Sequence, residues 1–476
     1  MGRTQRIANI ILTGGGLFCV FVFSYFIYYY AWTQQRHFTE PVGPILYYIV
    51  PAVLGSLFFA SLRLQPAYKV KLSLFCSSLV ASVLAAEFLL LSTAAPNWRA
   101  QIRGKEEKAL LKAAKEFGVQ FDTRTLLEFI NDLHKKGIDA LPVAFPLELL
   151  KEQGEGRVQS AIRIDGAEVL PLGGIANKVT VLCNETGKYI VYDSDEYGFR
   201  NPIEIWKFSY VDIAAVGDSY TQGFCVPSDK NVVALIRNYR PLTLNLGMGG
   251  NGPLLELASL REYLPTLKPK IVLWFYFEGN DLMDLKKEAL SSLLLPYLGT
   301  DFSQGLLARQ RGIDQALEEY IKKEMARTTL SEPETPTNNG GIPKHLYMLS
   351  QVVKLSNLRQ KLALVHGMGE ADRANLDLFY RVLRRAKTSV SAWGGRLFFV
   401  YLPMWERYSR LGTTDESRNA ILARVKSLDI PIIDLHPIFQ AHTDPLSLFP
   451  FRLGLGHYNE EGYRVEAEAV VRAILQ

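Results

Sequence analysis

Residues 215–225 read AVGDSYTQGFC and close the β-branched, apolar run VDIAAV that begins at 211. An acid, a hydroxyl and two glycines follow one another at the end of this strand-like segment. A strand ending in Gly217-Asp218-Ser219 carries its hydroxyl to the carboxyl edge of a parallel sheet, where open α/β folds place their ligand crevices. Gly217 and Gly223 permit tight backbone geometry around it.

Working outward, four further buried-strand candidates follow: LTLNLG (242–247), IVLWFYF (271–277), RLFFVYL (396–402) and IPIID (430–434). They alternate with helical stretches, which predicts an α/β domain over 211–476 with a parallel sheet covered on both faces. A long insertion, 282–394, interrupts it. Within the insertion the polar, Pro/Gly-rich SEPETPTNNGG (331–341) reads as a surface loop, with helices at 345–365 and 375–392 after it.

A nucleophilic serine needs a general base, donors for a developing oxyanion and usually a group that orients the base. LNLGMGGNG follows the second strand, and its glycines let backbone N–H groups approach a substrate closely. FEGND follows the third and offers the amide of Asn280. His457 opens HYNEEGY, ahead of a C-terminal helix that Asn459 can cap.

In this order, GDSYTQG, NLGMGGN, GND and HYNEEG resemble the four blocks of the SGNH (GDSL) hydrolase superfamily. The resemblance covers 217–463 and implies a three-layer α/β/α, flavodoxin-like domain without a cofactor. It puts Ser219 in the nucleophile's place, His457 in that of the base and Asn280 in that of the side-chain oxyanion donor. The oxyanion glycine corresponds to Gly250, with Gly247 next. Asp218, Gly247 and Asn251 stand beside these as substrate-binding candidates. SDEYGFRNP (194–202) looks like a segment that precedes the domain in membrane-anchored members, with a turn-and-strand role favoured over substrate contact.

The family usually carries an aspartate two or three residues before its histidine, where this chain has Leu455 and Gly454. Three readings stay open: a Ser–His dyad oriented by a backbone carbonyl, an acid supplied by Asp434 or Asp444, or a catalytically inactive domain. His436 and His442 are rivals to His457, but neither precedes a capped helix.

The formal charge of +5 over 476 residues is mild, and no dense Lys/Arg stripe with interleaved aromatics marks a nucleic-acid partner. Four cysteines are too few for a disulfide framework, and none joins a metal-ligand cluster. Cys19 and Cys76 lie in apolar runs, whereas Cys183 and Cys225 either pair in an oxidising compartment or stay free.

Three apolar stretches, 8–32, 43–62 and 72–94, contain one charge between them, Glu87. Their lengths match the roughly 20 residues a helix needs to cross a bilayer, which predicts a three-helix anchor over 1–95. The first is too long for a cleaved signal peptide and lacks a small-residue cleavage site. Arg3 and Arg6 precede the first stretch, and Arg63, Lys69 and Lys71 separate the second from the third, which puts the N-terminus in the cytoplasm and the rest outside. Residues 96–210 form an accessory region: charged helices at 104–117 and 122–137, the second capped by Asp122, then a β-rich segment over 157–210.

The sequence therefore predicts a bacterial, multi-pass inner-membrane protein with a periplasmic or extracytoplasmic serine esterase or O-acyltransferase. Similarity to anchored members implies acyl, chiefly acetyl, esters of cell-envelope or secreted polysaccharide as substrate, with the bilayer and a membrane protein as partners. An inactive scaffold or carbohydrate-binding partner is the alternative.

Overall fold

The computed structural model describes residues 2–32, 48–93, 108–153, 156–330, 370–409, 413 and 415–475. They fall into two compact units, one ending at 93 and one beginning at 108.

The first unit holds α1 (Arg3–Trp32), α2 (Val50–Ser61) and α3 (Pro66–Thr93). Two windows, Arg3–Tyr25 in α1 and Pro66–Glu87 in α3, are long and apolar enough to cross a membrane. The expected middle span is a 12-residue helix in the described residues, with 43–47 outside them. A Cβ on Gly15 would lie 2.8 Å from the Phe58 ring, so the glycines of α1 let α2 pack closely against it.

The second unit opens with a helix at 108–116, the described part of the expected 104–117 helix. Next comes α4 (Leu126–Lys135), whose cap is Thr125 rather than Asp122. The Thr125 hydroxyl accepts from Glu128 N at 3.3 Å, and the Glu128 carboxylate accepts from Thr125 N at 2.7 Å. This capping box satisfies two donors at once. Asp122 instead accepts from the backbone and guanidinium of Arg124.

A small sheet follows in the order β1 (Ala140–Pro142), β2 (Val179–Val181), β3 (Val191–Asp193). Within the expected β-rich segment β2 and β3 pair antiparallel as a hairpin, while β1 joins in parallel from upstream of it.

The five strands read from the sequence all form: β4 (Ile213–Val216), β5 (Thr243–Asn245), β6 (Ile271–Phe277), β7 (Arg396–Leu402) and β8 (Ile432–Asp434). They make one parallel sheet in the order β8-β7-β6-β4-β5. Side chains alternate strictly along each strand. Ile213, Ala215, Leu273, Phe275, Phe398 and Val400 share one core, whereas Ala214, Val216, Val272, Trp274, Leu397 and Phe399 share the other. Both faces of β4 are buried, which is why its sequence is apolar without interruption.

Helices α5 (Ser219–Gln222), α6 (Val232–Arg237), α7 (Pro253–Tyr263), α8 (Asp281–Glu288), α9 (Leu306–Leu330), α10 (Glu370–Ala392), α11 (Glu416–Lys426) and α12 (Glu460–Leu475) surround this sheet. The segments containing α6 and α12 cover one face, and those containing α7 and α10 the other. Leu141, Leu149, Val158 and Leu170 of the accessory region enter the second core, so region and sheet share one interior. Within the insertion, α10 contains the expected 375–392 helix; the expected 345–365 helix and the 331–341 loop lie outside the described residues. Strand order reverses at β4, and the carboxyl ends of β4 and β6 border the crevice expected at such a switch point.

Candidate active site

The turn after β4 is built around Asp218. Its side chain caps α5 by accepting from Tyr220 N at 2.9 Å, which leaves Ser219 as the first helical residue, 8% exposed. Gly217 is required here, since a Cβ would fall 2.0 Å from Thr221 Oγ1.

His457 reaches this serine from the far end of the chain: its Nε2 lies 2.7 Å from Ser219 Oγ. Its ring sits between Tyr220 and Phe224, with centroids 4.7 and 4.5 Å away. Asn459 helps fix the loop by accepting from Gly462 N at 3.0 Å at the start of α12.

Behind the histidine stands Glu185. Its Oε1 lies 2.8 Å from His457 Nδ1, and its Oε2 accepts from His457 N at 2.8 Å. A carboxylate accepts only, so Nδ1 carries the proton and Nε2 is left to accept from the Ser219 hydroxyl. Burial pushes the imidazole's pKa down, but the Glu185 carboxylate and the charge of Asp218 outweigh it and hold the pKa above its ordinary value.

Glu185 belongs to NETG, at the tip of the β2–β3 hairpin. Asn184 Nδ2 donates to Asp122 O at 2.8 Å, and Gly187 N donates to Asn184 Oδ1 at 2.9 Å. A disulfide between Cys183 and Cys225 ties this hairpin to the segment just after α5, with their Cα atoms 5.4 Å apart. Of the two thiol states left open by the sequence, the bonded one is present.

The expected acids do not reach the histidine. Asp434 accepts from His436 N and pairs with Arg418, while Asp444 pairs with Arg452. Each is held by a guanidinium in its own neighbourhood, and Glu185 occupies the place proposed for them. His436 bonds Tyr408 Oη and His442 accepts from Asp444 N, so neither rival imidazole faces Ser219.

Backbone accounting shows which N–H groups of the turn and loop are free to act as oxyanion donors. From Leu246 to Gly252 the N–H groups go to Ala215 O, Asn245 Oδ1, Gly217 O, Gln222 Oε1, then Met248 O for Asn251 and Glu288 Oε1 for Gly252. Among the described residues Gly250 N–H alone of these finds no acceptor, and Ser219 N–H finds none either. Gly250 has φ +74°, which turns its N–H out of the loop's own bonding. Gly247 is thereby excluded as a donor, because its N–H is spent on Asn245.

Asn280 stands at the N-cap position of α8, after β6, but makes no side-chain capping bond; its Nδ2 donates to Asp284 Oδ2 at 2.9 Å. Of the remaining substrate-binding candidates, Asp218 is 1% exposed and Asn251 0%. Asp218 shapes the turn, and both polar atoms of the Asn251 side chain are buried without a partner among the described residues.

SDEYGFRNP proves to be a buried clamp. Asp195 accepts from Tyr197 N, Phe199 N, Asn201 Nδ2 and Trp206 Nε1, all within 2.9 Å. Arg200 donates to Gly223 O and Val226 O behind the nucleophile turn, and Asn201 bridges to Asn245. The segment carries structure beneath the site.

No protein-family model matches the chain. No curated protein matches it either. Among solved structures, the lipase/acylhydrolase of Enterococcus faecalis aligns at 13% identity and TM-score 0.28, covering 56% of this chain and 95% of its own. A member of the lipolytic G-D-S-L family from Veillonella parvula aligns at 14% identity and TM-score 0.26, covering 56% and 98%.

Proposed function

We propose that the chain is a membrane-anchored serine ester hydrolase or O-acyltransferase working through an acyl-enzyme. The line Glu185–His457–Ser219, with contacts of 2.8 and 2.7 Å, carries this reading. His457 Nε2 takes the Ser219 proton as Oγ attacks an ester carbonyl. The N–H groups of Ser219 and Gly250, with the Asn280 amide, receive the negative charge on the carbonyl oxygen. Glu185 orients the ring and balances the imidazolium. The departing alkoxide takes the proton from His457, leaving the acyl group on Ser219. Water or a sugar hydroxyl then attacks, gives its proton to His457 and frees the serine; the first acceptor makes an esterase, the second an acyltransferase.

The strand order β8-β7-β6-β4-β5 supports a flavodoxin-like reading of the domain. Two apolar helices support anchoring in a bilayer, and the expected third crossing extends the proposal to a multi-pass anchor. The Lys/Arg distribution and the Cys183–Cys225 bond support a domain on the oxidising, extracytoplasmic side. There the acyl, chiefly acetyl, esters of envelope or secreted polysaccharide are the substrates we assign, with a membrane protein as the further partner. The inactive-scaffold alternative was motivated by a missing acid, and Glu185 removes that motive.

Detergent-solubilised full-length protein should hydrolyse p-nitrophenyl acetate and be labelled by a fluorophosphonate, with both signals absent in Ser219→Ala. Folded wild-type protein without either signal would refute the assignment. Adding a sugar acceptor separates the two products.

A further inference from the structure

The donor expected to help receive the oxyanion is already engaged by an acid. Asn280 Nδ2 donates to Asp284 Oδ2 at 2.9 Å, and the Asp218 carboxyl borders the same amide. Asn280 Oδ1 is buried without a partner among the described residues, so the amide is held through its N–H side alone. Asp284 stands one turn into α8, its Cβ 3.0 Å from where a Cβ on Gly252 would lie, so it packs against the end of the Gly250 loop. Both Asn280 and Asp284 are half-buried, unlike Asp281 and Glu288 of the same helix, which are fully buried.

Asp284 lies in the acidic first turn of α8, where an acid suits the helix dipole, but its hydrogen bond goes to Asn280. Asp281 already serves the start of α8 by accepting from Phe277 N at 3.0 Å, and Glu288 accepts from Gly252 N and Leu254 N. Asp284 has Asn280 as its bonding partner.

Resting on the hydrolase reading above, we propose that Asp284 is a positioning residue for the oxyanion donor: it holds one N–H of the Asn280 amide and so orients the other, and when ionised it opposes negative charge on the substrate oxygen, an opposition that protonation removes. This makes Asp284 the alkaline limit of the reaction.

The charges facing Asp284 agree with that role. From the nucleophile turn comes Asp218, from α7 Glu256, and from its own helix Asp281, Glu288 and Lys287. Beyond Lys287 the accessory region contributes Glu148, Lys151 and Glu152. Burial first, and then Asp218, push the Asp284 carboxyl up to about 7, against the pull of Asn280 and Lys287. The protonated form is therefore populated at neutral pH. His457 must be neutral to act as base, so activity also falls as pH drops through its raised pKa. The two requirements give a bell-shaped profile, with an acid limb set by His457 and an alkaline limb set by Asp284.

The test is the pH dependence of kcat/KM for p-nitrophenyl acetate, and of fluorophosphonate labelling, in full-length wild type, Asp284→Asn and Asp284→Ala. Wild type should lose at least roughly tenfold between about pH 7 and about pH 9, a drop set by one ionisation. Asp284→Asn, which can still accept from Asn280 but carries no charge, should stay within about threefold over that range and keep the acid limb. Asp284→Ala should also lose the alkaline limb, with a lower plateau because the amide is no longer oriented. A purely structural Asp284 would lower activity without reshaping the profile. An alkaline fall that persists in both variants, or none in wild type, overturns the proposal while leaving the hydrolase reading intact. No Ser219-dependent turnover or labelling at any pH overturns both.

Discussion

Glu185 and His457 are 272 positions apart in sequence and meet in a bidentate grip, one carboxylate oxygen 2.8 Å from Nδ1 and the other 2.8 Å from the backbone N–H. The grip fixes ring and backbone together. An acid two or three residues before the histidine would orient it from within its own loop; here the orienting group comes from the accessory region. The β2–β3 hairpin is thereby part of what holds His457 in place.

Replacing Glu185 by Gln should therefore lower kcat by about 10⁴-fold, the loss typical when a triad acid becomes its amide. The pH profile carries the sign. Glu185 holds the imidazole pKa up, so without it the acid limb of the residual activity should move to lower pH. Asp434→Asn and Asp444→Asn should stay within about twofold of wild type, since neither carboxylate meets the histidine. Steady-state kinetics across pH on the three variants checks the whole set, and a large loss in Asp434→Asn with none in Glu185→Gln would reverse the assignment.

The Cys183–Cys225 bond lets stability and catalysis be read together. Closing a loop between residues 42 apart stabilises by about 4 kcal/mol if the bond acts mainly on the unfolded chain. It also anchors the hairpin carrying Glu185. Cys183→Ser/Cys225→Ser protein should melt at a lower temperature and show the same downward shift of the acid limb as Glu185→Gln. Thermal melts and the kinetic profile, measured on one preparation, check both; a stability loss with an unchanged profile would mean that the hairpin holds its place without the bond.

The framework of the site is legible in the sequence because local patterns mark it. Ser219 and Asn280 follow strands written as unbroken apolar runs, and His457 precedes a helix with a visible cap. Thr125 was equally open to reading, since T-x-x-E is a capping box, although the acid at 122 draws the eye first. Glu185 is different. It is one of 48 acidic residues, in a tetrapeptide whose Asn and Gly read as an ordinary turn. Its approach to His457 is set by the core that the accessory region shares with the sheet, and no local propensity encodes that. The one pointer was the cysteine two residues before it, which, once paired with Cys225, brings the hairpin to the nucleophile turn.

Asp195 tests how much of the site rests on the clamp beneath it. Four donors converge on its buried carboxylate, and truncation would leave them without an acceptor. Asp195→Ala should cost at least about 3 kcal/mol, because each unsatisfied buried group carries a desolvation penalty. Thermal melts should show the loss. Soluble Asp195→Ala protein with wild-type melting behaviour would mean that the network relaxes around the gap.

Two glycines of one loop separate catalysis from folding. Gly250 has φ +74° and room for a side chain, since a Cβ would meet only Leu147 at 3.6 Å. Gly250→Ala therefore strains the backbone by roughly 1–2 kcal/mol without a clash. Any relaxation of that strain turns the free N–H away from the substrate, and losing one such donor costs about 10²–10³-fold in kcat. Gly247→Ala is the opposite case. Its Cβ would lie 2.5 Å from Gln222 N and 2.6 Å from Thr221 Cβ, at the heart of the nucleophile turn. That variant should fail to fold or melt far below wild type, whatever its chemistry. Circular dichroism on both, with fluorophosphonate labelling on whichever folds, decides the matter: a folded Gly250→Ala enzyme at full rate would remove Gly250 from the oxyanion site, and a stable Gly247→Ala would contradict the packing beneath Ser219.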